Sequence, residues 1–253
     1  MSSVPTTLLT LAVAVLIAAV MPQNAGALGE ASRFDVRGLE YGGGNPHPRE
    51  SAPRRLAWEI RKRTSVDSAL EPTTTRLDDA ALFDVPFLYW TGDAAFDAFS
   101  DAESTGLARF VAFGGFVLID DASASGSSDF DASVRRELSR ALPDHPLAST
   151  PNDHVLFRSF YLLDRPEGRV RGPDHVESIT VGERLAVLYS RHDLGGALAR
   201  DNLGNWEHSV VPDGETQRER AIRFAVNIVM YALCLDYKDD QVHAPFIMRR
   251  RGG

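Results

Sequence analysis

The chain reads as an α/β protein with a doubly wound, mainly parallel sheet between two layers of helices. Three observations predict it. The runs Phe87–Trp90, Phe116–Ile119 and Leu185–Tyr189 are short and uninterruptedly apolar, as strands buried on both faces of a parallel sheet are. The segments around them carry apolar residues at helical spacing. Strand and helix signals alternate through the first half, which is the pattern of right-handed βαβ units.

Taken in order, Val4 to Val20 carries no charged side chain, and Ala25-Gly26-Ala27 follows as a small-x-small cleavage signal. Residues 1–27 therefore read as a signal peptide of an exported, periplasmic or cell-envelope protein, with 28–253 as a single α/β domain ending in a short basic tail. The alternative is a retained N-terminal anchor, against which the apolar core falls short of the ~20 residues of a bilayer span. Phe34 to Tyr41 alternates like a strand and stops at Gly42-Gly43-Gly44, a turn that can take positive φ or let a ligand approach closely. Ser51 and Pro53 open a helix that buries Leu56, Ala57 and Ile60 and turns its arginines to water.

Phe87–Trp90 exits through Thr91-Gly92-Asp93. Ser100 and Glu103 form a capping box for a helix with Leu107, Phe110 and Val111 inward, ended by Gly114-Gly115. Phe116–Ile119 delivers Asp120-Asp121, and a Ser/Gly-rich loop leads to a helix from about Phe130 with Val134, Leu138 and Leu142 inward. Beyond Pro143 the pattern loosens into short extended pieces until Leu185–Tyr189, which exits through Ser190-Arg191-His192-Asp193. A long polar loop to Glu215 precedes a last helix, Gln217 to Leu233.

With 27 Lys and Arg against 35 Asp and Glu, the formal charge of −8 argues against a protein that tracks nucleic-acid phosphates. Arg249-Arg250-Arg251 is the one basic cluster, a solvated tail or a weak membrane-surface contact. Cys234 is the sole cysteine, so no intramolecular disulfide forms, and its place at the end of an apolar helical run predicts a buried, inert thiol.

Several of these segments read together resemble a known bacterial family. They include Tyr41-Gly42-Gly43-Gly44, Pro86 to Tyr89, Gly114 through Asp121, and Phe130-Asp131 with Arg135-Arg136-Glu137. Asp153-His154 with Phe157 and Phe160-Tyr161, Ser190 to Leu194, Asn227 to Leu233, and Tyr237 to Phe246 complete the set. The ordered set resembles the family called domain of unknown function 4159, over about residues 34 to 250. The resemblance implies a fold similar to class I glutamine amidotransferases and flavodoxin-like domains, and it implies no reaction. An amidotransferase needs a Cys on a strand-to-helix elbow, whereas Cys234 lies in the last helix.

In open parallel sheets ligands bind beyond the carboxyl ends of the strands, so the strand exits are the candidate site. Asp120 and Asp121, with His192, are the candidate catalytic groups, as general base or acid; as rim carboxylates the two Asp should contribute little packing. The competing reading has the Asp pair capping a helix or tying down a loop. Tyr41, Gly42, Gly43, Gly44, Asp93, Arg191, Asp193, Arg200 and Asp201 are the candidate ligand-binding residues, the last two in a loop long enough to act as a lid. Parallel strands would bring Asp93, Asp120, Asp121, Arg191 and His192 to one concavity. Asp131 reads as a helix cap paired with Arg135. His154 and Tyr161 read as aromatic anchors. No metal-ligand spacing and no cofactor fingerprint occurs.

These readings favour a module that binds a small molecule or an envelope protein on an amidotransferase-like fold lacking the nucleophile. A hydrolase or transferase using the strand-end Asp and His residues is the alternative, and a purely structural envelope component the third.

Overall fold

In a computed structural model, residues 33–123 and 128–250 are described, with side chains through Cys234. Residues 1–27, read above as a signal peptide, and Arg251 lie outside these residues, as do the side chains of Arg249 and Arg250. The strands are β1 (Arg37–Leu39), β2 (Thr74–Thr75), β3 (Phe87–Gly92), β4 (Phe116–Asp121), β5 (Ala148–Thr150), β6 (Val176–Val181) and β7 (Arg184–Ser190). The helices are α1 (Ala52–Arg63), α2 (Asp101–Ala112), α3 (Asp129–Ala141), the short α4 (Leu194–Leu198) and α5 (Gly214–Arg250).

The seven strands form one sheet in the order β2-β1-β3-β4-β7-β6-β5. β2, β1, β3, β4 and β7 are parallel, while β6 and β5 extend the β7 side as antiparallel strands. Side chains alternate across the sheet because successive Cβ atoms point to opposite faces. Phe87, Tyr89, Phe116 and Leu118 pack with Leu56 and Ile60 of α1, Ala197 of α4 and Phe224 of α5. Leu88, Trp90, Val117 and Ile119 pack with Leu107 and Phe110 of α2 and Phe130, Val134 and Leu138 of α3. Both faces are covered, which is why β3 and β4 are buried at every position and carry almost no polar residue before their last turn.

The helix starts follow their sequence signals. Ser100 and Glu103 close the capping box of α2, and Pro53 stands in the first turn of α1. On α3 the cap is Ser128, whose Oγ accepts the Asp131 N–H at 2.9 Å, rather than Asp131 itself; Asp131 binds Arg135 at 3.0 Å as its i,i+4 spacing predicts.

Five expectations change. The strand at Phe34–Tyr41 shrinks to three residues, with Phe34 making an isolated bridge to Ser68. The loose stretch beyond Pro143 supplies β5 and β6, and β6 turns into β7 through Gly182 at φ +62°. The loop after His192 is broken by α4. The last helix starts earlier and runs to Arg250. Cys234 is exposed rather than buried. The core contacts of α5 run from Ala221 to Tyr231 and fade through the half-buried Ala232 and Leu233, so the thiol lies just past the layer that would have covered it.

Candidate functional site

The carboxyl ends of β4 and β7 are polar, but they are filled from inside. Asp120 is fully buried. Its Oδ1 accepts the Leu194 N–H at 2.8 Å, and its Oδ2 accepts the Gly195 N–H at 2.7 Å and the Tyr89 hydroxyl at 2.9 Å. The carboxylate thus stands at the amino end of α4, taking helix N–H groups that otherwise lack partners. Burial and the neighbouring Asp193 push its pKa up, against these three donors. Burial and Asp120 hold the Tyr89 phenol well above the ordinary range, so it remains a donor.

Asp193 is fully buried beside it, in the left-handed region at φ +50° that Asp tolerates better than most residues. It caps α4 by accepting the Gly196 N–H at 2.9 Å. It also takes Arg49 twice, at 3.0 and 2.8 Å, and binds Arg169. Neither glycine of α4 has room for a side chain, since a Cβ would lie 2.8 Å from the Tyr89 hydroxyl at Gly195 and 2.5 Å from Asp193 Oδ2 at Gly196.

Asp121 ties down the loop that follows it. One oxygen accepts the Ser123 N–H at 2.9 Å and the other the Ser128 hydroxyl at 2.7 Å, which links β4 to the cap of α3. His192 is buried with both ring nitrogens engaged, Nε2 to the Pro173 carbonyl at 2.8 Å and Nδ1 to the Ser190 hydroxyl at 3.2 Å. An imidazole that donates to a carbonyl and accepts from a hydroxyl is neutral. Burial is the main reason its pKa falls to about 4, with Arg191 adding to the effect. Asp121 also accepts from the Ser123 and Tyr189 hydroxyls, and among the described residues neither Asp120 nor Asp121 bonds to His192. Arg191 faces Glu177 at 3.6 Å.

On the β1–β3 side, the Tyr41 hydroxyl donates to the Thr91 carbonyl at 2.8 Å. The Gly42 carbonyl accepts the Asp97 N–H at 3.0 Å. Gly43 and Gly44 take φ +71° and +60° against the segment Ala95–Asp97. Asp93 accepts from the Asn45 amide at 3.3 Å. Beyond this turn the chain forms one wall of a cavity of about 670 Å³. Val36 and, in β1, Gly38, with Thr73 and Thr74, and Tyr89 and Thr91 of β3 make its floor. Arg49, Ser51, Pro53 and Arg54 bring the start of α1, and Arg200, Asn202 and Glu207 bring the loop after α4.

That loop is tied down at several points. The Arg200 N–H donates to Ser51 Oγ at 2.8 Å, and the Glu207 N–H to the Ala199 carbonyl at 3.1 Å. Asp201 closes its own turn by accepting the Leu203 and Asn205 N–H groups at 2.9 and 2.7 Å. Of the residues singled out from the sequence, Thr91 and Arg200 line the cavity. Asp93, Asp120, Asp121, Arg191 and His192 do not, so the strand exits form a buried polar hub beside an open cavity rather than one concavity.

Sequence reasoning missed Gly38, Arg49, Ser51 and Tyr89. The available signal was the order itself, since a helix starting at Ser51 soon after the first strand must place its amino end at the carboxyl edge of the sheet.

The fold and these contacts define a three-layer α/β protein with a polar cavity at the carboxyl edge of a mainly parallel sheet. The chain belongs to the family described as a domain of unknown function, DUF4159, whose model matches residues 36–233. No curated protein matches it.

The buried histidine sets a pH dependence. With a folded pKa of about 4 against 6.5 unfolded, the unfolded chain binds more protons between these values, so stability is fully present above pH 6.5 and falls as the pH drops toward 4. Relative to His192→Gln, the native chain should lose roughly 3 kcal/mol over that interval in urea titrations. Parallel curves for the two proteins would show that His192 is not buried neutral.

Proposed function

We propose that this protein is a small-ligand-binding module of the cell envelope, with its ligand in the cavity between β1 and β3. The observation that carries the reading is where the cavity lies. The parallel strands run β2-β1-β3-β4-β7, so the chain winds one way from β1 to β2 and the other way from β3 onward. The cavity opens at that reversal, where doubly wound sheets hold their ligands. Counted along the chain, these five strands follow the 2-1-3-4-5 order of flavodoxin-like folds. That order supports the flavodoxin-like and amidotransferase-like reading, without the amidotransferase nucleophile. The engaged hydrogen bonds of Asp120, Asp121 and His192 favour binding over acid-base hydrolysis.

Gly38 makes the cavity testable. A Cβ there would meet Thr74 Cγ2 at 3.4 Å, an ordinary contact, so the backbone accepts a side chain at this point of the floor. A small molecule released from the natively purified protein and read by mass spectrometry should be missing from Gly38→Phe, while circular dichroism stays unchanged. Equal retention by the variant would refute the cavity as the site.

Export rests on the uncharged stretch Val4 to Val20 and on Ala25-Gly26-Ala27. Among the described residues no helix is long and apolar enough to cross a membrane. The mature chain should begin at Leu28; recovery of intact residues 1–20 from a membrane fraction would make the segment an anchor.

A further inference from the structure

We infer that the ligand carries one anionic oxyacid group, a carboxylate or a phosphate, and that Arg200 receives it. The inference rests on the cavity reading above and adds the chemistry of what the cavity takes.

Three arginines line the cavity, and two are already neutralised. Arg49 is held by Asp193, and Arg54 by Glu71 at 2.9 Å. Arg200 pairs with no carboxylate among the described residues. Its Nη1 donates to the Gly204 carbonyl, and its Nε is buried without an acceptor. The guanidinium lies on the Trp206 ring, 3.6 Å from the centroid, so it is fixed in place rather than loose in solvent. Arg218 and Arg55 approach the same ring at 4.3 and 5.3 Å. The nearby acids serve those two, Glu215 binding Arg218 at 2.9 Å and Glu59 binding Arg55. Burial and the proximity of Arg55 accordingly lower the pKa of Arg200. A rigid cation among like charges, on a residue that lines the cavity and lacking a counter-ion, is what an anionic ligand completes.

The start of α1 adds to the same field. Ser51 does not cap the helix with its side chain, and the first turn holds no acidic residue. Its hydroxyl instead accepts from Arg200 and donates to Glu207 at 3.4 Å. The positive end of a twelve-residue helix therefore faces the cavity with no carboxylate in its own first turn. Pro53 has no N–H and the Ala52 N–H is bound to the Arg49 carbonyl, so the helix contributes field rather than a cradle of donors. Glu50 and Glu207 in the same wall oppose a polyanion, which limits the ligand to a single anionic group on a polar body. Thr73, Thr74 and Thr91 supply hydroxyls for that body.

The test is calorimetric titration of the mature protein with inorganic phosphate, succinate and uncharged glycerol at fixed ionic strength. Saturable binding of phosphate or succinate but not glycerol is expected, and which anion binds identifies the oxyacid. Arg200→Gln should weaken binding at least about tenfold. Arg200→Lys should retain part of it, and Gly38→Phe should abolish it. Thermal melting of each variant confirms that it folds. Binding undiminished in Arg200→Gln, or no binding of either anion, overturns the inference. If neither anion binds but a co-purified molecule is still lost in Gly38→Phe, the anion inference falls and the cavity reading stands. Anion binding that survives Gly38→Phe overturns both.

Discussion

A carboxylate sealed from water must find all its hydrogen bonds in the chain that buries it, and at Asp120 this requirement organises the carboxyl half of the molecule. Its three donors come from β3 and from the first turn of α4, so one side chain joins two neighbouring strands to the helix that follows β7. α4 has only five residues and little stability of its own. It holds its place because Asp120 and Asp193 satisfy its first N–H groups and because Leu194, Ala197 and Leu198 are buried beneath α1 and α5. Two adjacent buried acids are costly unless each is matched, and Arg49 and Arg169 supply the balancing charge at Asp193.

The cavity follows from this arrangement. Arg49 is clamped to Asp193 by two hydrogen bonds, and it leads directly into Ser51 and the start of α1. The same Ser51 receives the backbone of Arg200, which sits just beyond α4. The walls of the cavity are thus fixed by a polar hub that lies under them and meets them at Arg49 and Tyr89. Residues that look catalytic in sequence hold the frame, and residues that looked like ordinary helix-start chemistry face the open space.

The sequence carried the sheet core and the helices well, because burial on both faces leaves continuous apolar runs and the caps use side chains with one dominant use. Leu118 and Trp90 could hardly lie elsewhere. The edge strands were harder, since β2 and β5 are held by two and three residues and carry no periodicity of their own. The site was legible only at the level of the rim. That Asp120 is buried depends on α4 folding back over it, and α4 contains Gly195 and Gly196, which read as loop. Arg200 was found for its place in a long loop, but its stacking on Trp206 is a tertiary fact.

The central claim is that Asp120 is a structural hub. Urea denaturation of Asp120→Ala beside Leu118→Ala tests it most directly. The substitution strands the Leu194 and Gly195 N–H groups and the Tyr89 hydroxyl, each at about 1–3 kcal/mol, with relief of repulsion from Asp193 offsetting part. A loss comparable to the core truncation, about 2–5 kcal/mol, is the predicted result. Stability within about 0.5 kcal/mol of the native chain, the range of ordinary surface substitutions, would contradict it.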